Sequence, residues 1–137
     1  MKPTAELFFL TLTALLTGLM WAPYILARIR TRGLLVTMGN PALGVAPEAE
    51  LEWAQRARLA HANAIENLAV FAPLVLVAAL LGISTPATVF ATKLYLAARV
   101  AHYLVYSAGV PVLRTLAFLA GVAAMLIFAF TLISHLA

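Results

Sequence analysis

Three long stretches of this chain carry no charged side chain, and they constrain its fold more than any other feature. Leu7–Ala27 is 21 residues without a charge, Asn67–Thr92 holds none, and none appears again from Thr115 to Ala137. About 20 predominantly apolar residues in a helix cross the hydrocarbon core of a bilayer. Hydrophobic residues make up 64% and charged residues 10% of the 137, against about 45–50% and about 25% in soluble domains. Mean hydropathy is +1.01. The chain reads as an integral membrane protein with one domain over residues 1–137.

Four spans follow, at about 6–27, 62–81, 86–107 and 112–136, which makes the expected fold an all-α membrane four-helix bundle. Met1-Lys2 ahead of an apolar run has the outline of a signal peptide. The length of that run, and the arginines that close it (Arg28, Arg30, Arg32), read instead as a retained anchor. Pro23 predicts a kink near the end of the first span. Gly33–Pro47, with Gly33, Gly39, Asn40, Pro41, Gly44 and Pro47, predicts a loop. Proline suits a first helical turn and acids suit an N-terminus, so the second helix is expected to start near Pro47-Glu48. It would run through Glu66 to about Leu81, its early part at or beyond the bilayer surface. Gly82–Pro86 and Gly109-Val110-Pro111 predict the two short turns.

The basic residues set an orientation. Arg28, Arg30, Arg32, Arg56 and Arg58 border the first loop and Arg114 the third, while Lys2 is nearly alone on the other side. Positive-inside bias then puts loops one and three in the cytoplasm. The pI near 10 invites a nucleic-acid reading, but arginines dispersed at helix ends make no basic stripe, and no nucleic-acid partner is expected. The chain has no cysteine, which excludes disulfides, thiolate-bound metals and a cysteine nucleophile. No Walker loop, nucleophile elbow, zinc spacing or dinucleotide fingerprint is present. His61 and His102 on different helices are thin support for a haem, and no metal is expected.

Ionisable residues inside a membrane span are expensive, and they mark functional sites by default. Arg56, Asn63 and Glu66 are spaced by seven and then three on the second helix, which places them on one face. Arg99, His102 and Tyr106 follow steps of three and four on the third, with Tyr95 one turn further in. The expected topology gathers both sets at one depth on the cytoplasmic side, beside Arg114-Thr115 at the start of the fourth helix. Packing alone is the rival reading. Asn63 and Glu66 could simply bond across helices, Glu66 as a buried carboxylate paired with a cation, and Arg56 could snorkel to headgroups. The sharper reading is an anion site, because a guanidinium beside a helix N-terminus stabilises a carboxylate or a thiolate.

Taken in order, Arg56…Ala60-His61-Ala62-Asn63…Glu66-Asn67, then Tyr95…Arg99…His102…Tyr106…Gly109-Val110-Pro111…Arg114-Thr115, resembles the small bacterial members of the MAPEG family, the membrane-associated proteins of eicosanoid and glutathione metabolism. The resemblance runs from about Arg56 to the C-terminus. It implies a homotrimer in the bacterial inner membrane, with glutathione as co-substrate between subunits. It also implies that Arg56, Asn63, Glu66, Arg99, His102 and Tyr106 bind glutathione, and that Arg114 and Thr115 act on its sulfur. Two positions depart from other members: Ala62 stands where some have an arginine, and Phe118 where some have a tyrosine.

The function expected from this resemblance is a membrane-bound glutathione transferase-like protein, acting on a lipophilic electrophile or peroxide that arrives among the membrane lipids. The alternative is a non-catalytic membrane protein that binds glutathione, a lipid or another anion.

Overall fold

In the computed structural model, which describes residues 3–40 and 50–137, the local signals at helix ends decide where each element begins and stops. Thr4 caps α1 (Ala5–Leu19), its hydroxyl accepting from the Leu7 amide at 3.3 Å. A one-residue turn at Met20 separates α1 from α2 (Trp21–Arg32). The expected kink thus lies three residues before Pro23. Proline has no N–H to offer the Leu19 carbonyl, so the α-helical pattern breaks there.

Gly33, at φ +84°, ends α2, and α3 (Leu34–Met38) follows at once. This short helix stands inside the segment expected as a loop. Residues 34–38 contain no glycine or proline, and the breakers Gly33 and Gly39 bracket them. Pro41, Gly44 and the expected helix start at Pro47-Glu48 lie outside the described residues. The second long helix, α4, is described from Glu52 to Leu81. At 1.5 Å per residue it is about 45 Å long, so about a third of it exceeds the hydrocarbon thickness of about 30 Å.

Gly82, at φ +70°, closes α4. Thr85 and Thr88 then form a reciprocal capping box at the start of α5 (Pro86–Ala108). Gly109 ends α5 at φ +79°, and α6 runs Pro111–Leu136. Among the described residues there are helices and no strands. Ala5–Arg32, Glu52–Leu81 and Pro111–Leu136 are long and apolar enough to cross a membrane. The α5 helix has the length but carries Lys93 and Arg99.

That helix is nonetheless the centre of the packing, in contact with α1, α4 and α6. Phe71 of α4 stacks on Tyr95 of α5 at 3.8 Å between ring centroids and meets Phe128 of α6 edge-on. Small residues line the seams: Ala54, Ala57, Ala60 and Ala64 on α4, Ala91 and Ala98 on α5, Ala117, Gly121 and Ala124 on α6. Small side chains let backbones approach closely, which is how helices associate where no hydrophobic force separates protein from lipid.

α1 and α5 run side by side in the same direction. At one end Glu6 accepts from the hydroxyls of Thr88 (2.5 Å) and Ser84 (2.9 Å), and at the other Tyr103 donates to the Met20 carbonyl at 2.8 Å. Glu6 is only 2% exposed, and among the described residues no cation pairs with it. Its carboxylate is instead placed in the first turn of α1 and beside the first turn of α5, where two helix N-termini favour negative charge.

Candidate functional site

The polar residues of α4, α5 and α6 meet around the C-terminal half of α5. Arg99, on the inner face of α5, is 1% exposed. Its Nη1 donates to Asn63 Oδ1 of α4 at 3.3 Å, and its Nη2 to the Phe118 carbonyl of α6 at 3.4 Å. Its Nε has no hydrogen-bond partner among the described residues. The guanidinium also lies 5.4 Å from the ring centre of Tyr95 and 5.7 Å from that of Phe118. Tyr95 is itself fully buried, and its hydroxyl is unpaired. Among the described residues, the hydrogen-bond and ring partners of this buried cation are all neutral.

From Arg99 the cluster continues outward along α5. His102 is buried, its ring 6.2 Å from Phe118 and 5.4 Å from Tyr106 in an edge-to-face arrangement. Tyr106 is half-buried, and the Arg114 guanidinium lies over its ring at 4.6 Å. At the same end, Arg56 of α4 reaches across to the tail of α5. Its Nε donates to the Ser107 carbonyl at 3.1 Å, and its Nη1 to Glu52 at 3.3 Å, a carboxylate that is almost fully exposed.

Arg56, Asn63, Arg99, His102, Tyr106 and Arg114 therefore form one connected region drawn from three helices. Two of the expected residues stand apart. Thr115 is exposed, and its hydroxyl donates back to the Pro111 carbonyl at 3.1 Å. Glu66, expected as a buried carboxylate paired with a cation, is exposed and has no ion pair among the described residues. One turn beyond Asn63, it has rotated past the α4–α5 seam and faces out of the chain. His61 points elsewhere, to the hydroxyl of Tyr24 on α2 at 2.9 Å.

Two participants escaped the sequence reading. One is the Phe118 carbonyl, an oxygen with two lone pairs that accepts from Arg99 while it lies within α6. The other is Gly121, whose missing side chain is the space that Arg99 occupies. Neither leaves a pattern in the residues themselves. The buried pair of Glu6 with Thr88 also went unread, although hydroxyls at Ser84, Thr85 and Thr88 hint at an acceptor nearby.

Electrostatically the region is lopsided. Three guanidiniums, those of Arg56, Arg99 and Arg114, gather within a mostly apolar chain, and among the described residues the one carboxylate paired with any of them is the exposed Glu52. Such an arrangement attracts an anion with more than one negative group. Arg99 and His102, being buried in the single chain, act from beneath. The half-buried Arg56, Asn63, Tyr106 and Arg114 form the accessible rim.

The model of the MAPEG family matches residues 7–134. Comparisons with curated proteins and with solved structures give no match.

Proposed function

Starting from a chain that belongs to the MAPEG family and is an integral membrane protein, we propose that it is a glutathione transferase-like enzyme. The observation that carries this reading is the excess of guanidinium over carboxylate around the C-terminal half of α5. Glutathione has two carboxylates and an ionisable thiol. Arg56 and the rim of Asn63 and Tyr106 would receive the carboxylates, and Arg99 would hold Asn63 in place from below. Arg114, in the first turn of α6, would favour the thiolate over the thiol, which raises the nucleophilic fraction at neutral pH. A lipophilic electrophile or peroxide would reach the sulfur laterally from the bilayer. The protein contributes positioning and electrostatic stabilisation.

Glu66 fits this reading if a second copy of the chain faces it. An unpaired carboxylate turned out of a membrane helix is costly against lipid, and a homotrimer with glutathione between subunits would give it the ligand's ammonium group. In this reading α5 is a fourth span, its cations covered by neighbours, and loops one and three lie in the cytoplasm of a bacterial inner membrane. Thr115, on the outer face of α6, would belong to the same inter-subunit cleft.

A second reading is a non-catalytic binder of glutathione or another anion. It is favoured by Phe118, whose ring packs near both Arg99 and His102 and presents no hydroxyl to a thiolate. One titration separates the two. Glutathione added to detergent-purified protein should give a saturable thiolate absorbance that Arg114→Ala abolishes. Saturable binding without that absorbance would select a non-catalytic glutathione binder, and no binding would overturn the transferase reading and leave only a binder of another anion.

A further inference from the structure

At the C-terminal end of α2 lies a groove of about 670 Å³ that shares no residue with the guanidinium cluster, although its Trp53 stands one turn before Arg56 on α4. Pro23, Leu26 and Ile29 of α2 and Leu51 just before α4 make an apolar floor, and Arg30 and Trp53 stand at its edges. Leu26, Leu51 and Trp53 are 58%, 46% and 38% exposed.

The arginines of this end differ in how they are satisfied. Arg28 donates to Glu50 at 2.6 Å and 3.1 Å, and Arg58 approaches the other oxygen of Glu50 at 3.5 Å. That single carboxylate thus serves two guanidiniums. Arg30 is exposed and makes no ion pair among the described residues. Among the described residues, Arg30 is thus a cation without a carboxylate partner at the border of the groove.

The groove also lies where the first membrane-capable stretch, Ala5–Arg32, comes to its end. Along α2 the lining passes from Pro23 and Leu26 to Ile29 and Arg30, from apolar to cationic, as a bilayer does from its acyl region to its headgroups, and Trp53 lines the groove from α4. Tryptophan is enriched at that boundary. A water-soluble anion would match Arg30 but leave the floor unfilled, and an uncharged lipid would match the floor but leave Arg30 unpaired.

From this geometry we infer that the groove binds an anionic phospholipid, with an acyl chain against Pro23, Leu26 and Leu51 and the headgroup phosphate at Arg30. The site is independent of the glutathione reading and would stand without it.

The test uses the full chain in vesicles. With Trp21→Phe, Trp53 becomes the single fluorophore, since the chain has two tryptophans. Brominated phosphatidylglycerol in a phosphatidylcholine background is compared with brominated phosphatidylcholine in a phosphatidylglycerol background, at equal mole fraction of the quencher. The brominated anionic lipid should be enriched about fivefold at Trp53, the scale expected for one basic residue at an anionic surface. Arg30→Gln should bring the two lipids to equal quenching. Equal quenching in the starting protein, no quenching by either lipid, or an enrichment unchanged by Arg30→Gln would each overturn the inference. So would displacement by soluble glycerol phosphate, which would make the headgroup alone the ligand.

Discussion

A methyl group placed on Gly121 of α6 would lie 2.9 Å from Cζ and 3.0 Å from Nε of Arg99. The bare backbone at Gly121 leaves the space that the Arg99 guanidinium fills against α6. Gly121→Ala should therefore push Arg99 off Asn63 and destabilise the protein by about 1–3 kcal/mol, the usual scale of overpacking. In an Arg99→Leu background the alanine should cost much less. Thermal unfolding of the four proteins of that cycle measures the coupling, and strictly additive losses would show that the two residues do not share one space.

Asn63 is the side chain that tethers Arg99 to α4. Asn63→Ala should cost about 1.5 kcal/mol, the lower end for a hydrogen bond to a charged group, because the contact is long at 3.3 Å. Asn63→Asp should behave differently. A carboxylate beside the buried guanidinium would hold the helices together yet cancel the positive charge proposed to attract glutathione. Stability at or above that of the parent, with weaker glutathione binding, is the expected pair of results.

Glu66 offers the reverse separation. It is exposed and makes no hydrogen bond or ion pair among the described residues, so Glu66→Gln should change the stability of the single chain by no more than about 0.5 kcal/mol. If it meets the ammonium group of glutathione, the same change should weaken binding by about 1.5–3 kcal/mol, roughly 10- to 150-fold. A titration that returns the parent affinity would remove Glu66 from the site.

Glu6 should matter for the scaffold and not for the ligand. Glu6→Ala leaves the hydroxyls of Ser84 and Thr88 without their shared acceptor in the contact between α1 and α5. A loss of about 1–3 kcal/mol is expected from unsatisfied buried groups, with Glu6→Gln intermediate because it keeps one acceptor. Thr88 and Arg99 are eleven positions apart on α5, about 16 Å along the helix, so glutathione affinity should hold. An affinity that falls in step with stability would mean that the two ends of α5 are coupled.

Much of the fold is legible in the sequence. Gly82, Thr85-Pro86 and Gly109-Val110-Pro111 mark the turns because a positive φ, a hydroxyl cap and a first-turn proline act within a few residues of themselves. The kink before Pro23 follows from one missing amide. The short helix α3 was not legible, since five residues between two glycines carry no helical period strong enough to separate them from a loop.

The polar site was legible in membership and less so in geometry. Spacing placed Arg99, His102 and Tyr106 on one stripe and Asn63 beside Glu66, but a stripe does not say which way it turns. Asn63 and Glu66 differ by about 60° around α4, enough for one to meet Arg99 and the other to leave the chain. The uncharged stretches, the helix ends and the identities of the charged residues were determined by the sequence alone, because each depends on solvation or on neighbours within one or two turns. Tertiary structure alone decided that Arg99 lies against Gly121, that Glu6 meets Thr88 82 positions away, and that Glu66 faces outward. Those outcomes depend on how helices rotate and settle against one another, and that rotation is set by the close packing of small residues across the seams.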